Sequence, residues 1–273
     1  MILRKTSLYL FINLWGCIIV SFHSLKAQNN RLLRLEDQYR YFYADSLTVN
    51  NELKLNIAYA FVQEGNSSKA EEYLNLCKND STCHYKYWYT YSQLHFIQDK
   101  FDESLIALYN IKESELTLQQ LKDLRLLQIV NLNHLERYEE ARQTLQDYLL
   151  QNKKDTSGLY DIYHKVSSSS YFDLKKAARK SRWLPGSGLV YVKERGKAGT
   201  SILLNTLFIG YTAYSIYTGY YVTAALTGIP QFLRFYNGGR KAAVNIGRKK
   251  NNTVYLNNLV LLDNFCMKKF LVN

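Results

Sequence analysis

Gly65-Asn66-Ser67-Ser68-Lys69-Ala70 and Arg137-Tyr138-Glu139-Glu140-Ala141 occupy equivalent places in a pattern that recurs three times. Moving 34 residues on from Ile57, Ala58, Phe61, Ala70, Leu74 and Cys77 reaches Tyr91, Ser92, His95, Ser104, Leu108 and Ile111. A further 37 residues reach Gln128, Ile129, Leu132, Ala141, Leu145 and Tyr148. Each set describes two short helical stripes with a break between them. The small residues Ala70, Ser104 and Ala141 fall midway along the second stripe, where a short side chain lets another helix approach closely. Trp88, Phe101 and Tyr138 supply bulk beside them. The three extra residues ahead of the third unit are assigned to the connection 113–120. A unit of this size buries its apolar stripe only against a neighbour, so an all-α stack of helix pairs with a concave face is predicted.

The pattern resembles the tetratricopeptide repeat, a 34-residue helix-turn-helix unit. Only the second unit keeps that family's early tryptophan, as Trp88; Lys54 and Arg125 stand in its place elsewhere. The resemblance implies a helical solenoid over 28–165, capped by a helix within 29–50 that carries Leu32, Leu33, Leu35, Tyr39 and Phe42. It also implies that the first helix of each unit lines a groove for a protein partner. Tyr59, Tyr89, Gln93, Phe96 and Asn133 are the groove residues expected on that geometry.

Charge divides the chain. Residues 28–170 carry 16 basic and 20 acidic side chains, whereas 171–273 carry 16 against 3, within a total of +12. A polyanionic partner is expected for the basic part, and lipid is favoured over nucleic acid. The reason is that residues 198–233 contain no Asp, Glu, Lys or Arg. Charged side chains are costly at mid-bilayer, and basic residues at the rims can snorkel. At about 1.5 Å per residue the block is too long for one pass and slightly short for two. It reads as a tight two-helix transmembrane hairpin turning at Gly219, with Tyr211, Tyr214, Tyr217, Tyr220 and Tyr221 near the turn. Gly210, Ala213, Ala224 and Gly228 offer small faces for helix contact. Asn205 is expected to bond across the hairpin.

The patches Leu184-Pro185-Gly186-Ser187-Gly188-Leu189-Val190-Tyr191, Leu204-Asn205-Thr206-Leu207-Phe208, Phe235-Tyr236-Asn237-Gly238-Gly239 and Ala242-Ala243-Val244-Asn245 occur in that order. They resemble a bacterial membrane-hairpin module that follows repeat domains in cell-envelope proteins. Val192-Lys193 stands where that family usually has glycine. The resemblance implies membrane location and no established reaction, with Pro185, Gly186, Gly188, Tyr191, Asn205, Tyr236 and Gly238 as its motif residues. The organisation expected is therefore a leader at 1–27, repeats at 28–165, a basic hinge at 166–181, the hairpin module at 182–252 and a helical tail at 253–273.

At the start, Arg4 and Lys5 precede an apolar run from Leu8 to Val20 and a more polar stretch ending at Ala27. This is a secretory signal pattern, cleaved after Ala27; lipidation at Cys17 and an uncleaved anchor remain open beside it. Export permits a disulfide between Cys77 and Cys83, and one buried with one loop thiol is the other reading. His84, His95, His134 and His164 are scattered without metal spacing or a nucleophile motif, and Gly186-x-Gly188 lacks the strand of a dinucleotide fingerprint. No catalysis and no cofactor or metal is expected. The sequence thus suggests a membrane-anchored adaptor of the bacterial envelope, its repeats on the non-cytoplasmic (periplasmic) side. It binds a protein partner through the groove and lipids through the basic flanks. The alternative is an assembly factor for membrane proteins or lipids in which the hairpin is the active part.

Overall fold

The computed structural model describes residues 51–77 and 84–271. The signal pattern, the capping helix within 29–50 and Cys83 lie outside them, and so does any bond between Cys83 and the buried Cys77. Among the described residues all regular structure is helical. The described residues form two units: 168–258 make one, and 51–77 and 84–167 together with 259–271 make the other.

The first unit is built from helix pairs. They are α1 (Asn51–Gln63) with α2 (Ser67–Asn75), α3 (His84–Ile97) with α4 (Phe101–Tyr109), and α5 (Leu118–His134) with α6 (Tyr138–Gln151). Gly65, Asp99 and Glu136 have φ of 75°, 61° and 57°, so all three turns pass through the left-handed region at the same point. Each turn closes with the same two bonds. Asn66 N donates to Phe61 O, Lys100 N to His95 O and Arg137 N to Leu132 O, while the left-handed residue itself donates three positions back. These are Schellman ends, which satisfy the last carbonyls of the first helix and reverse the chain. The spacings of 34 and 37 residues are therefore spacings of turn geometry as well as of apolar side chains.

Packing follows the small positions. Ala58 and Ala70 are wholly buried between α1 and α2, as is Ala141 against α5. In the middle pair both small residues are serines, and Ser92 Oγ meets Ser104 Oγ at 2.8 Å in the interior. The connection into the third pair holds a 3-10 turn (Glu113–Glu115), and Thr117 then caps α5 reciprocally with Gln120. That is where the extra residues were expected.

The first unit closes with α7 (Leu159–Ser167) and with the last turns of α12 (Ile229–Leu271), a helix that continues out of the second unit. Lys269 Nζ bonds Asp155 at 2.8 Å, and Tyr163 Oη lies 3.7 Å from Cys266 Sγ. Phe270 stacks on Tyr148 with centroids 4.4 Å apart, and Leu262, Cys266 and Phe270 share one core with Leu132, Leu145 and Tyr163. The contact pattern thus draws boundaries other than those expected: 259–271 is core of the first unit rather than a tail. The stretch expected to be a hinge contains an ordered helix of the second unit.

Candidate membrane-docking site

The second unit contains α8 (Leu174–Trp183), α9 (Ser187–Tyr191), α10 (Arg195–Tyr217), α11 (Tyr221–Thr223), a π-helical segment (Ala224–Gly228) and the first part of α12. Asp173 caps α8 by accepting from Lys176 N at 2.9 Å. Leu184 ends that helix in an extended conformation, φ −137° and ψ 119°, as the residue before a proline must. Pro185 therefore marks the break. Gly186 follows at φ +84°, and a Cβ there would lie 2.8 Å from both Ala198 O and Ile202 Cγ1. Gly188 is tighter still: its Cβ would be 2.1 Å from Ser181 Oγ and 2.3 Å from Ala177 O. This glycine lets α9 sit directly on α8, and Ala243 of α12 closes over the same spot at 3.1 Å.

Tyr191 and Tyr236 tie these helices together. Tyr191 Oη accepts from Asp173 N at 3.2 Å, and Tyr236 Oη donates to Arg182 O at 2.6 Å. Gly238 faces open space, whereas a side chain on its neighbour Gly239 would strike Ser201 Oγ. The close approach belongs to Gly239, a residue the sequence pattern contains but does not distinguish.

Helices α10 and α12 run antiparallel, Ser201 meeting Gly239, Phe208 stacking on Phe235 at 5.1 Å, and Thr212 meeting Gly228. Gly219, at φ 84°, lies in the turn between them. A helical hairpin over these residues is therefore present, and its polarity is inverted. The buried residues of α10 are Ala198, Asn205 and Ser215. Leu203, Leu207, Ile209, Ile216 and Tyr217 stand exposed on it, and Tyr220, Tyr221, Val222 and Leu226 continue that surface round the turn. Gly210, expected at the helix contact, faces open space; Ala224 and Gly228 are buried as expected.

Most hydroxyls of the hairpin bond to their own helix. Thr200, Asn205, Thr212, Ser215, Thr218 and Thr227 each donate to the carbonyl four residues earlier. Asn205 Nδ2 reaches Ser201 O at 2.7 Å, so the expected bond across the hairpin is not formed. Its Oδ1 and Ser201 Oγ are buried without a partner. The π segment just ahead of Pro230 has a local cause: proline removes a donor and clashes with the carbonyl four residues back, so the helix widens there.

The expected transmembrane helices need correction. No helix among the described residues is long and apolar enough to cross a membrane. Freedom from charge is not the same as hydropathy, and Thr, Ser, Asn and Tyr dilute this block throughout. From Ile202 to Tyr217 the apolar part of α10 rises about 24 Å, less than a hydrocarbon core of about 30 Å.

Charge surrounds the hairpin base. Residues 168–258 hold 14 Lys and Arg against Asp173 and Glu194 alone, which accounts for the full net charge of +12. Part of it is engaged within the unit. Lys250 Nζ donates to Val192 O at 2.9 Å and to Glu194 Oε1 at 2.8 Å, closing the end of α9. Asn251 accepts from Phe172 N and donates to Phe172 O, both at 2.8 Å. These two structural roles depend on partners 58 and 79 positions away, so no local pattern could have revealed them.

Of the groove residues expected in the first unit, Tyr89, Gln93, Phe96 and Asn133 are buried, and only Tyr59 is partly exposed. Phe96 packs on Phe101 and on the His134 ring. These four positions are interior because the first helices pack on one another there. The accessible part of the same face is Tyr85, stacked on Tyr89 at 5.3 Å, with Asp123 and Tyr59 close enough to act on its hydroxyl. Burial raises the Tyr85 pKa and raises that of Asp123. Sequence reasoning passed over both. Among the described residues no group of three His, Cys, Asp or Glu side chains could hold a metal ion. No family model, curated protein or solved structure matches this chain.

Proposed function

We propose that the protein is a membrane-docked helical scaffold. The second unit sinks its hairpin into the apolar part of a lipid layer from one side, and the helix-pair unit, of tetratricopeptide type, offers a surface to a protein partner. The observation that carries this reading is the inverted hairpin. In water, exposing Leu203, Leu207, Ile209, Ile216 and Leu226 while burying Asn205 with its Oδ1 unbonded is unfavourable. In lipid it costs nothing to expose the apolar residues, and hydroxyls bonded to their own helix are tolerated.

The envelope setting, with repeats on the non-cytoplasmic side, rests on the signal pattern in 1–27 and on the motif order in 182–252. A partner is assigned to the face bearing Tyr59, Tyr85 and Asp123. The second reading, an assembly factor acting through the hairpin, draws support from the π segment, because such irregularities recur at functional sites. Flotation of the full chain with phospholipid vesicles tests the main proposal. Wild type should float and withstand carbonate washing, and L203N/L207N/L226N should remain at the bottom of the gradient. A wild-type chain that stays soluble without detergent and ignores vesicles overturns it.

A further inference from the structure

We infer that one face of α8 is a binding site for the phosphates of anionic phospholipid headgroups, placed where the hairpin enters the lipid. The inference rests on the docking function proposed above and adds the lipid class.

Helix α8 reads Leu-Lys-Lys-Ala-Ala-Arg-Lys-Ser-Arg-Trp and turns Ala177 and Ser181 inward. Lys176, Lys180 and Trp183 are four and three residues apart, so they share one stripe of the helix. Lys176 Nζ lies 5.6 Å from the Tyr191 ring centroid and Lys180 Nζ 5.2 Å from it. Two ammonium groups are thus gathered over a single aromatic face. Such a ring attracts cations but cannot neutralise them.

Two acids belong to this unit, and neither forms an ion pair with Lys176 or Lys180. Asp173 caps α8 through a backbone donor, and Glu194 pairs with Lys250 at 2.8 Å and with Lys197 at 3.6 Å. Asp173 is the one carboxylate on their helix, so the two lysines carry more charge than it offsets, and charge complementarity favours an external anion.

Depth identifies that anion. Trp183 is 86% exposed and Leu184 59%, at the end of α8. Gly186, two residues on, abuts Ile202, the first exposed apolar residue of α10, and Tyr236 of α12 bonds Arg182 O. The lysine stripe consequently ends at the level where the apolar surface of the hairpin begins. Tryptophan beside basic residues at that boundary is the arrangement of an interfacial helix, whose cations meet headgroup phosphates. Nucleic acid has no use for the Trp183–Leu184 edge or the apolar surface beyond it.

The test is flotation of the full chain with vesicles of phosphatidylcholine alone or with 30% phosphatidylglycerol. Wild type should bind the anionic vesicles about 30-fold more tightly than K176Q/K180Q does, since each basic residue near such a surface contributes about 1 kcal/mol. The two proteins should bind neutral vesicles alike, and K176R/K180R should restore the anionic preference. Equal affinity of wild type and K176Q/K180Q for anionic vesicles overturns the headgroup site and leaves the hairpin proposal standing. Loss of all vesicle binding by wild type overturns both. Displacement from anionic vesicles by millimolar inorganic phosphate would make this a free-phosphate site, and lysine-dependent binding to duplex DNA tighter than to vesicles would make it a nucleic-acid surface; either result rejects the inference.

Discussion

Gly228 presses on Thr212 so closely that a Cβ on the glycine would stand 2.4 Å from Thr212 Oγ1 and 3.1 Å from Thr212 Cβ. This contact sets how near the two arms of the hairpin lie. Thr212 can sit there because its hydroxyl is already bonded to Phe208 O at 2.6 Å. Gly228→Leu forces the arms apart, at a cost of about 1–3 kcal/mol typical of overpacking. The expected outcome is faster protease cleavage between the arms in vesicle-bound protein, with the circular dichroism of the helices retained. Unchanged cleavage would mean that this contact does not hold the hairpin.

The serine pair of the middle helix pair gives a sharper test of packing. Ser104→Ala removes one partner and leaves Ser92 Oγ buried without a bond, which costs about 1–3 kcal/mol. Removing both hydroxyls in S92A/S104A should recover part of that loss, because no orphan remains. Urea denaturation of the four proteins of the cycle measures it. Additive losses would show that the 2.8 Å contact contributes nothing.

Acid and base act in opposite directions on the first unit. Asp263 is buried, both its carboxylate oxygens lack a hydrogen-bond partner, and burial raises its pKa from 3.8 to about 7. The groups nearest it, Tyr163 and Cys266, are both held neutral by burial. The folded chain therefore keeps a proton between those values that the unfolded chain releases. Stability from this group is greatest below about pH 4, falls as pH rises to about 7, and stays low beyond. His134 runs the other way, since burial lowers its pKa to about 4 and the stability it contributes above pH 6.5 is lost as pH falls toward 4. Burial lowers the pKa of His95 as well, so that histidine acts in the same sense as His134. Asp263→Asn should raise the unfolding free energy at pH 8, read from urea denaturation, by on the order of a few kcal/mol and flatten the pH dependence between about pH 4 and 7. Parallel pH profiles for the two proteins would refute it.

The partner face yields a binding prediction. Tyr85 and Tyr59 are partly exposed beside Asp123, whereas Gln93 and Asn133 are interior. Y59A/Y85A should lose a partner recovered from crosslinked membranes while keeping the thermal midpoint within a few degrees. Asn133→Ala should do the reverse, lowering the midpoint and sparing the partner as long as the chain folds. Retention of the partner by Y59A/Y85A would move the surface elsewhere.

Periodicity located the three helix pairs because each pair is a local object. Its turn, its small residue and its apolar stripe lie within about one repeat of one another, and Schellman ends at Gly65, Asp99 and Glu136 need only neighbouring backbone. The same locality made Pro185, Gly186 and Gly188 legible as a break between helices. The groove residues were less legible. The helical wheel places Tyr89, Gln93 and Asn133 on the first helices, but whether that face is open depends on how closely those helices pack, and here it is filled.

The chain by itself determined the helical class, the repeat spacing, the basic second unit and the charge-free hairpin, all properties of composition and short-range order. Tertiary structure alone decided that residues 259–271 return to complete the first unit, pairing Cys266 with Tyr163 across 103 positions. It alone decided that Lys250 and Asn251 close loops, and that Asn205 and Ser215 point inward while leucines point out. Contacts between residues far apart in sequence have no periodic signature, because their stability comes from the shape of two distant surfaces meeting rather than from the pattern along either one.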